Sequence, residues 1–327
     1  MNLKFKGRFN DAGNQSGFGT KLGGSGREKL INEDGTFRIK KTGVPLNESF
    51  NIYHHLITIS WTRFLWMILV GFIIVNALFA AVYFLLGQGQ LSNYNAENSA
   101  FKTFLECFFF SAQTMSTVGY GRVAPIGLGA NIIASIEALF GLLMFALATG
   151  ILYGRFSRPL ANIITSKNIL IAPYKNITGL MFRISNKRTN QLMEPEVEVL
   201  TTLFTYENGV KVRKFYNLRL ELKRVTFLSL SWTVVHPIDE DSPFYGLSVG
   251  EIKEADPEVM ILFKAIDDTF SQQVHSRFSY RFEEFVFGAK FVSMFVTDES
   301  GLTILDLRKI NDYEKASLEI QETVKIN

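Results

Sequence analysis

The stretch Ala100–Gly121, AFKTFLECFFFSAQTMSTVGYG, decides how the rest of the chain is read. Its apolar part, up to Met115, is shorter than the roughly 20 residues a helix needs to cross a bilayer. It ends in the glycine-punctuated run Thr117-Val118-Gly119-Tyr120-Gly121. Upstream, Phe64–Leu86 carries no charge and, at about 1.5 Å per residue, spans a hydrocarbon core of about 30 Å. Downstream, Ile126–Gly154 is equally apolar and holds one ionisable residue, Glu137. Two spans take the chain across and back, so the segment between them dips in and returns to one side. Irregular backbone at membrane depth is tolerated only where it lines water or ions.

The residues of that run suit the second case. A dehydrated cation needs several oxygens at close range, and a short loop can supply them only as backbone carbonyls. Gly119 and Gly121 permit the φ/ψ values that let successive carbonyls point one way. Thr117 adds a hydroxyl, Val118 another carbonyl, and the Tyr120 ring can brace the loop. TVGYG loops form potassium-selective filters in this manner, with K+ as the bound species and no organic cofactor. One chain cannot enclose an ion, so the expected assembly is a homotetramer with three identical subunits as partners. The alternative, a chance turn, is disfavoured by the position between two spans and behind a non-crossing helix.

Charge fixes the orientation. The chain has 327 residues and a formal net charge of +3. Its basic residues gather before the first span and, as Arg155, Arg158 and Lys167, after the second, whereas 87–100 has none. By the positive-inside rule both termini are cytoplasmic, in a two-span protein of the cell inner membrane. Residues 1–45 read as a flexible Gly-rich tail without a signal-peptide run. Residues 46–60 place Phe50, Tyr53, Leu56 and Ile57 at helical spacing, which marks an interfacial helix or the frayed start of the first span. His54 and His55 are adjacent, so on a helix they diverge by about 100° and cannot readily chelate one ion. The pore domain is expected over 61–158, with spans at 61–86 and 126–154, the re-entrant helix at 100–115 and the filter at 117–121. The single cysteine, Cys107, excludes an intrachain disulfide.

From 159 to 327 the pattern changes to short segments, LMFRIS, VEVLTTLF, FYNLRLEL, FLSLSWTVV, VMILFKAI, KFVSMFV and LTILDL, separated by turn-rich NKRTN, ENG, DEDSP and TDESG. Seven such strands predict an all-β sandwich. The chain shows no phosphate-cradling loop, metal-ligand cluster or nucleophile motif, so the reading is of a non-enzyme, and no nucleic-acid partner is expected.

Beyond the filter, Ser157-Arg158-Pro159, LMFRISNKR (180–188), HPIDEDSPFYG (236–246) and the spacing of Tyr280, Glu284 and Gly288 carry a closer likeness. With these strings the chain resembles the bacterial branch of the inward-rectifier potassium channels over residues 46–312. The resemblance implies an immunoglobulin-like cytoplasmic domain whose tetramer continues the pore.

On the second span Glu137, Gly141, Phe145, Thr149 and Tyr153 recur every four residues as a slowly drifting stripe, open to the pore axis or to helix packing. Glu137 either draws cations into the cavity or hydrogen-bonds behind the filter, since a carboxyl at membrane depth needs water or a partner. By resemblance Gly141 is the hinge glycine, Tyr153 closes the gate, and Gln113 takes a filter-supporting place usually held by glutamate. Phe145 stands where strong rectifiers carry an acid, so weak rectification is expected, with Asp268 lining the cytoplasmic pore and Mg2+ or polyamines as blockers. Arg155, Arg158 and Lys167 become an anionic-phospholipid site, where each charge contributes on the order of 1 kcal/mol. Two rivals remain at this level: a transporter subunit, which would carry several pore loops per chain, and a membrane-anchored sensor that conducts little.

Overall fold

The computed structural model describes residues 29–32, 34–38, 42–43, 51–87, 89–92, 99–157, 161–207, 210–228 and 230–318. Residues 1–28, 46–50 and Arg158 lie outside the described residues. The chain divides into two compact units, Thr42–Arg158 and Met1–Lys41 with Pro159–Asn327.

The first unit is helical. A short helix α1 (Ile52–Thr58) is capped at its N-terminus by Asn51, whose side chain accepts from the His54 amide; both histidines are exposed. It is followed by α2 (Trp61–Leu86), α3 (Ala100–Met115) and α4 (Leu128–Phe156). Both α2 and α4 are long and apolar enough to cross a membrane. They bury only narrow stripes, Phe64, Asn76, Ala80 and Tyr83 on α2 and Ala130, Ala134, Glu137 and Gly141 on α4. Leu65, Trp66, Leu78 and Leu139 remain exposed, as expected of helices whose outer solvent is lipid. The helix α3 packs between them on Thr103, Cys107, Phe110, Ser111 and Met115. Ahead of α4, Gln90 closes the helix end: its carbonyl accepts from Ile126 and Gly127, and its Oε1 accepts from Ala130. A Cβ at Gly127 would stand 2.1 Å from Gln90 Oε1, so the Gln90 side chain that accepts from Ala130 would have to shift.

The second unit is built on two sheets. One contains β1 (Ile163–Thr165), β2 (Ile169–Tyr174), β3 (Ile177–Asn186), β6 (Ser231–Ile238) and the parallel β9 (Phe285–Phe287). The other runs β5 (Val210–Asn217), β4 (Leu192–Glu207), β7 (Glu258–Asp267) and β8 (Gln272–Arg281), all antiparallel. A helix α5 (Val249–Glu254) precedes β7, and two ribbons pair β10 (Ala289–Phe291) with β13 (Tyr313–Lys315) and β11 (Phe295–Thr297) with β12 (Thr303–Leu305). The core is the sandwich filling: Ile171, Leu180, Phe182 and Ile184 from one sheet meet Val197, Val199, Val259, Ile261 and Phe263 from the other. The expected alternation fails on β3, where Thr178 to Asn186 are all buried, because β10 covers the second face with Ala289 and Phe291 against Leu170, Met181 and Val235.

The flexible-tail expectation for 1–45 is corrected over 29–38. Ile31 is buried against Phe215 and Met260 and bridges to Phe37, and Leu30 N donates to both Glu258 oxygens at 2.8 and 3.1 Å. Lys29 pairs with Glu284 at 2.8 Å. The cue was Asp34-Gly35, a hairpin signal between apolar residues that the surrounding glycines diluted. Gly35 has φ +79, and a Cβ there would meet the Arg277 carbonyl at 3.0 Å.

The string HPIDEDSPFYG folds around one buried ring. His236 is 2% exposed; its Nδ1 donates to the Arg219 carbonyl at 2.6 Å and its Nε2 accepts from Ser242 Oγ at 2.8 Å. Burial lowers its pKa from 6.5 to about 4. The folded state therefore keeps the ring neutral while the unfolded chain takes up a proton below about pH 6.5, so stability falls with pH until about 4. The chain is expected to lose about 2 kcal/mol between pH 7 and pH 5 from this group alone. Denaturant titrations of the full chain at the two pH values check this, and the difference should shrink in His236→Gln.

Candidate functional site

The loop after α3 has an unusual backbone. Thr117, Gly119 and Gly121 adopt φ of 62, 52 and 78°, while Val118 and Tyr120 between them do not take positive values. Alternating hands rotate successive peptides so that their carbonyls fall on one side, whereas an extended strand points them to alternate sides. The left-handed Thr117 was not foreseen from sequence; it costs about 1–2 kcal/mol and marks a conformation held by its surroundings. The loop amides turn back to the helix end. Thr117 N donates to the Thr114 carbonyl at 3.1 Å, and Val118 N and Gly119 N share the Gln113 carbonyl at 2.9 and 3.3 Å. The carbonyls of 117–121 accept no backbone donor among the described residues. Gln113 thus supports the loop through its main chain. Tyr120 is 79% exposed and Val118 52%, so the bracing expected of the Tyr120 ring is not made within one chain.

Behind the loop the stripe on α4 divides. Successive steps of four residues drift by about 40°, so Glu137 and Tyr153 end up roughly 160° apart. Glu137 is fully buried and faces away from solvent: Oε2 accepts from Tyr83 Oη at 2.6 Å, and Oε1 meets Ser111 Oγ. Ser111 Oγ also lies 2.9 Å from Asn76 Oδ1, while Asn76 Nδ2 donates to the Phe72 carbonyl at 2.7 Å and contacts Met115 Sδ at 3.4 Å. Of the two sequence readings for Glu137, the structure has it hydrogen-bonded behind the loop. Asn76, Tyr83 and Ser111 were missed; the signal available was a lone amide in an otherwise apolar span.

Gly141, one turn further, is also buried. A Cβ there would stand 2.2 Å from the Met115 carbonyl, two residues before Thr117. The helix runs unbroken through it. At Gly141, the residue expected as a hinge, α4 crosses closely over the end of α3. Phe145 and Tyr153, by contrast, are 75% and 74% exposed in the chain.

The described basic residues of this group belong to different units, Arg155 to the helical one and Lys167 to the other. Arg155 is half-buried and bound to α1: its Nη1 and Nη2 donate to the Leu56 and Ile59 carbonyls at 2.6 and 2.7 Å, and the guanidinium lies over Trp61 and Phe64 at 4.6 and 4.5 Å. It caps the α1 C-terminus, where a cation complements the helix dipole. Lys167 is exposed in the β1–β2 turn of the other unit, its amide donating to Asn311 Oδ1 at 2.7 Å. Asp268 is exposed in the β7–β8 turn and accepts from Gln191 N and Thr269 Oγ1, each at 3.2 Å. No group of metal-ligating side chains occurs among the described residues.

Known proteins resemble the chain in both units. Residues 163–325 match a family model described as the inward rectifier potassium channel C-terminal domain, and 67–158 match one described as ion channel. The chain is 36% identical over 288 residues to the inward rectifier potassium channel Kirbac3.1 of Paramagnetospirillum magnetotacticum, covering 88% of this chain and 96% of that one. It is 22% identical over 309 residues to the human G protein-activated inward rectifier potassium channel 3, covering 88% and 78%.

The Gly141 contact separates packing from flexibility. Gly141→Ala should destabilise the helical unit by about 1–3 kcal/mol through overpacking against Met115. Gly150→Ala, on the same helix with nothing within 4 Å of its Cβ, should be neutral or slightly stabilising. Thermal unfolding of the two variants in detergent checks the contrast.

Proposed function

The chain belongs to the inward rectifier potassium channel family, and from that premise we propose that four copies enclose a K+ filter built from the carbonyls of Thr117, Val118, Gly119 and Tyr120, with Gly121 setting its geometry. It is a membrane channel with two apolar spans, K+ is its permeant ion, and it is not an enzyme. The observation that carries the filter assignment is the left-handed backbone at Thr117, Gly119 and Gly121 at the end of a non-crossing helix. Carbonyls aligned on one side replace an ion's hydration shell once four loops surround an axis. The exposed Tyr120 ring supports the same assembly, since its bracing partners must come from neighbouring copies.

In this reading the gate lies at Tyr153, where four rings close the pore by narrowing and dewetting. The apolar Phe145 leaves the cavity without an acidic ring, so rectification by Mg2+ or polyamines is weak and rests on Asp268. Anionic phospholipids act through Arg158 and Lys167 and through the donors of Arg155 that α1 leaves over. The termini face the cytoplasm, with the channel in the cell inner membrane. A membrane-anchored sensor that conducts little is the competing reading, and potassium flux into liposomes separates the two.

The Cβ of an alanine at Gly119 or Gly121 meets nothing within 4 Å in the chain, so any effect comes from forcing a left-handed residue rather than from a clash. Gly119→Ala and Gly121→Ala are each expected to abolish selective K+ uptake in liposomes while leaving the tetramer intact on size exclusion; selectivity kept over Na+ would displace the filter. Tyr153→Ala should raise flux several-fold where the wild type is closed, and unchanged flux would move the gate elsewhere.

A further inference from the structure

The polar cluster behind the filter has a proton inventory that fixes the state of its acid. Asn76 must turn Nδ2 toward the Phe72 carbonyl, 2.7 Å away, because two oxygens cannot share that contact. Its Oδ1 then faces Ser111 Oγ at 2.9 Å and needs a proton from it. Serine has one proton, so the contact between Ser111 Oγ and Glu137 Oε1 takes its proton from the carboxyl group. Tyr83 Oη supplies the proton on the other side, 2.6 Å from Oε2. With an ionised Glu137, Ser111 would have to serve two acceptors with one hydrogen, inside a cluster where Asn76, Ser111 and Glu137 are each 0% exposed.

We propose that Glu137 is held as a neutral carboxylic acid and acts as a positioning residue for the filter. The group joins three helices: α4 through its own backbone, α2 through Tyr83, and α3 through Ser111. Asn76 extends the cluster from α2 to Met115 Sδ, and Gly141, one turn along α4, sets its backbone against the Met115 carbonyl. Ser111 and Met115 are themselves one turn apart on α3. The α4 helix therefore grips α3 at two successive rungs, the second two residues before Thr117. A neutral acid suits this place, since it donates on one oxygen and accepts on the other without a buried charge. The role as filter support rests on the filter reading above; the protonation state does not.

Infrared difference spectra of the full-length channel in liposomes, wild type minus Glu137→Gln, test the state directly. A protonated-carboxyl C=O stretch should appear in wild type, vanish in Glu137→Gln and shift in Tyr83→Phe and Ser111→Ala. A carboxylate band in its place would overturn the proposal whatever the flux does. The positioning role is read from K+ over Na+ selectivity. The amide of Glu137→Gln can donate to Ser111 and accept from Tyr83, so it should keep wild-type selectivity, whereas Glu137→Leu should lose about ten-fold, the factor that unpaired buried polar groups are worth. A Glu137→Gln channel as impaired as Glu137→Leu overturns the role. If Glu137→Leu does not assemble, the selectivity of Glu137→Gln against wild type decides.

Discussion

The carbonyls of 117–121, which accept no backbone donor among the described residues, are the constraint around which the helical unit is organised. Each such group costs several kcal/mol in hydrocarbon, so a loop that exposes a row of them persists only if its surroundings hold it more firmly than the loop destabilises itself. The amides of Thr117, Val118 and Gly119 are satisfied at the end of α3 through Gln113 and Thr114. Holding α3 in turn requires both spanning helices, through the apolar cluster of Ala80, Cys107, Phe110, Ala130 and Ala134 and through the polar contacts among Tyr83, Asn76, Ser111 and Glu137. Leucine and phenylalanine gain little by leaving lipid for protein, so polar contacts and close backbone approaches locate the helices instead. Gly141 against Met115 is an approach of that kind.

That division explains which parts of the unit could be read in advance. Span length and the absence of charge report directly on the bilayer, and Phe64–Leu86 and Ile126–Gly154 fall within or near α2 and α4. The short helix before Thr117 was legible for the same reason, as was the need for glycine at 119 and 121. The stripe on α4 was not. A spacing of four looks like one face over two turns but rotates by about 160° over four steps, so one list of residues joined two faces. Glu137 and Gly141 belong to the face against α3, and Phe145 and Tyr153 to the face left open. Arg155 was legible as a charge just after the second span, but nothing in its position announced the α1 carbonyls that it caps.

In the second unit, turn residues and alternation revealed a sandwich, and the core between Phe182 and Phe263 bears that out. The places where alternation fails are those where a third layer arrives. On β3 the outward positions are covered by β10, a strand more than a hundred residues later that no local pattern ties to it. The stretch 29–38 is similar: its few apolar residues only make sense once Phe215, Met260 and Glu258 are brought beside them. Local periodicity reports one burial face at a time, so contacts of long sequence separation are where it gives out.

The asymmetry along α4 bears on how such a helix can move. Above Gly141 it is tied to α3 and α2 by hydrogen bonds and by a backbone contact too close for a Cβ. From Leu142 to Leu147 its side chains are exposed within the chain, and Gly150 meets nothing. At the lower end the helix is fastened again, with Arg155 bound to the carbonyls of α1, the Phe156 ring 5.1 Å from Trp61, and Gly154 under Tyr53. A helix held at both ends and free between them bends where its packing stops, because displacement there breaks no contact. The glycine that permits bending by conformation alone need not be the one where bending occurs. In this chain the packed Gly141 is the upper anchor, and the exposed segment lies between it and the α1 clasp.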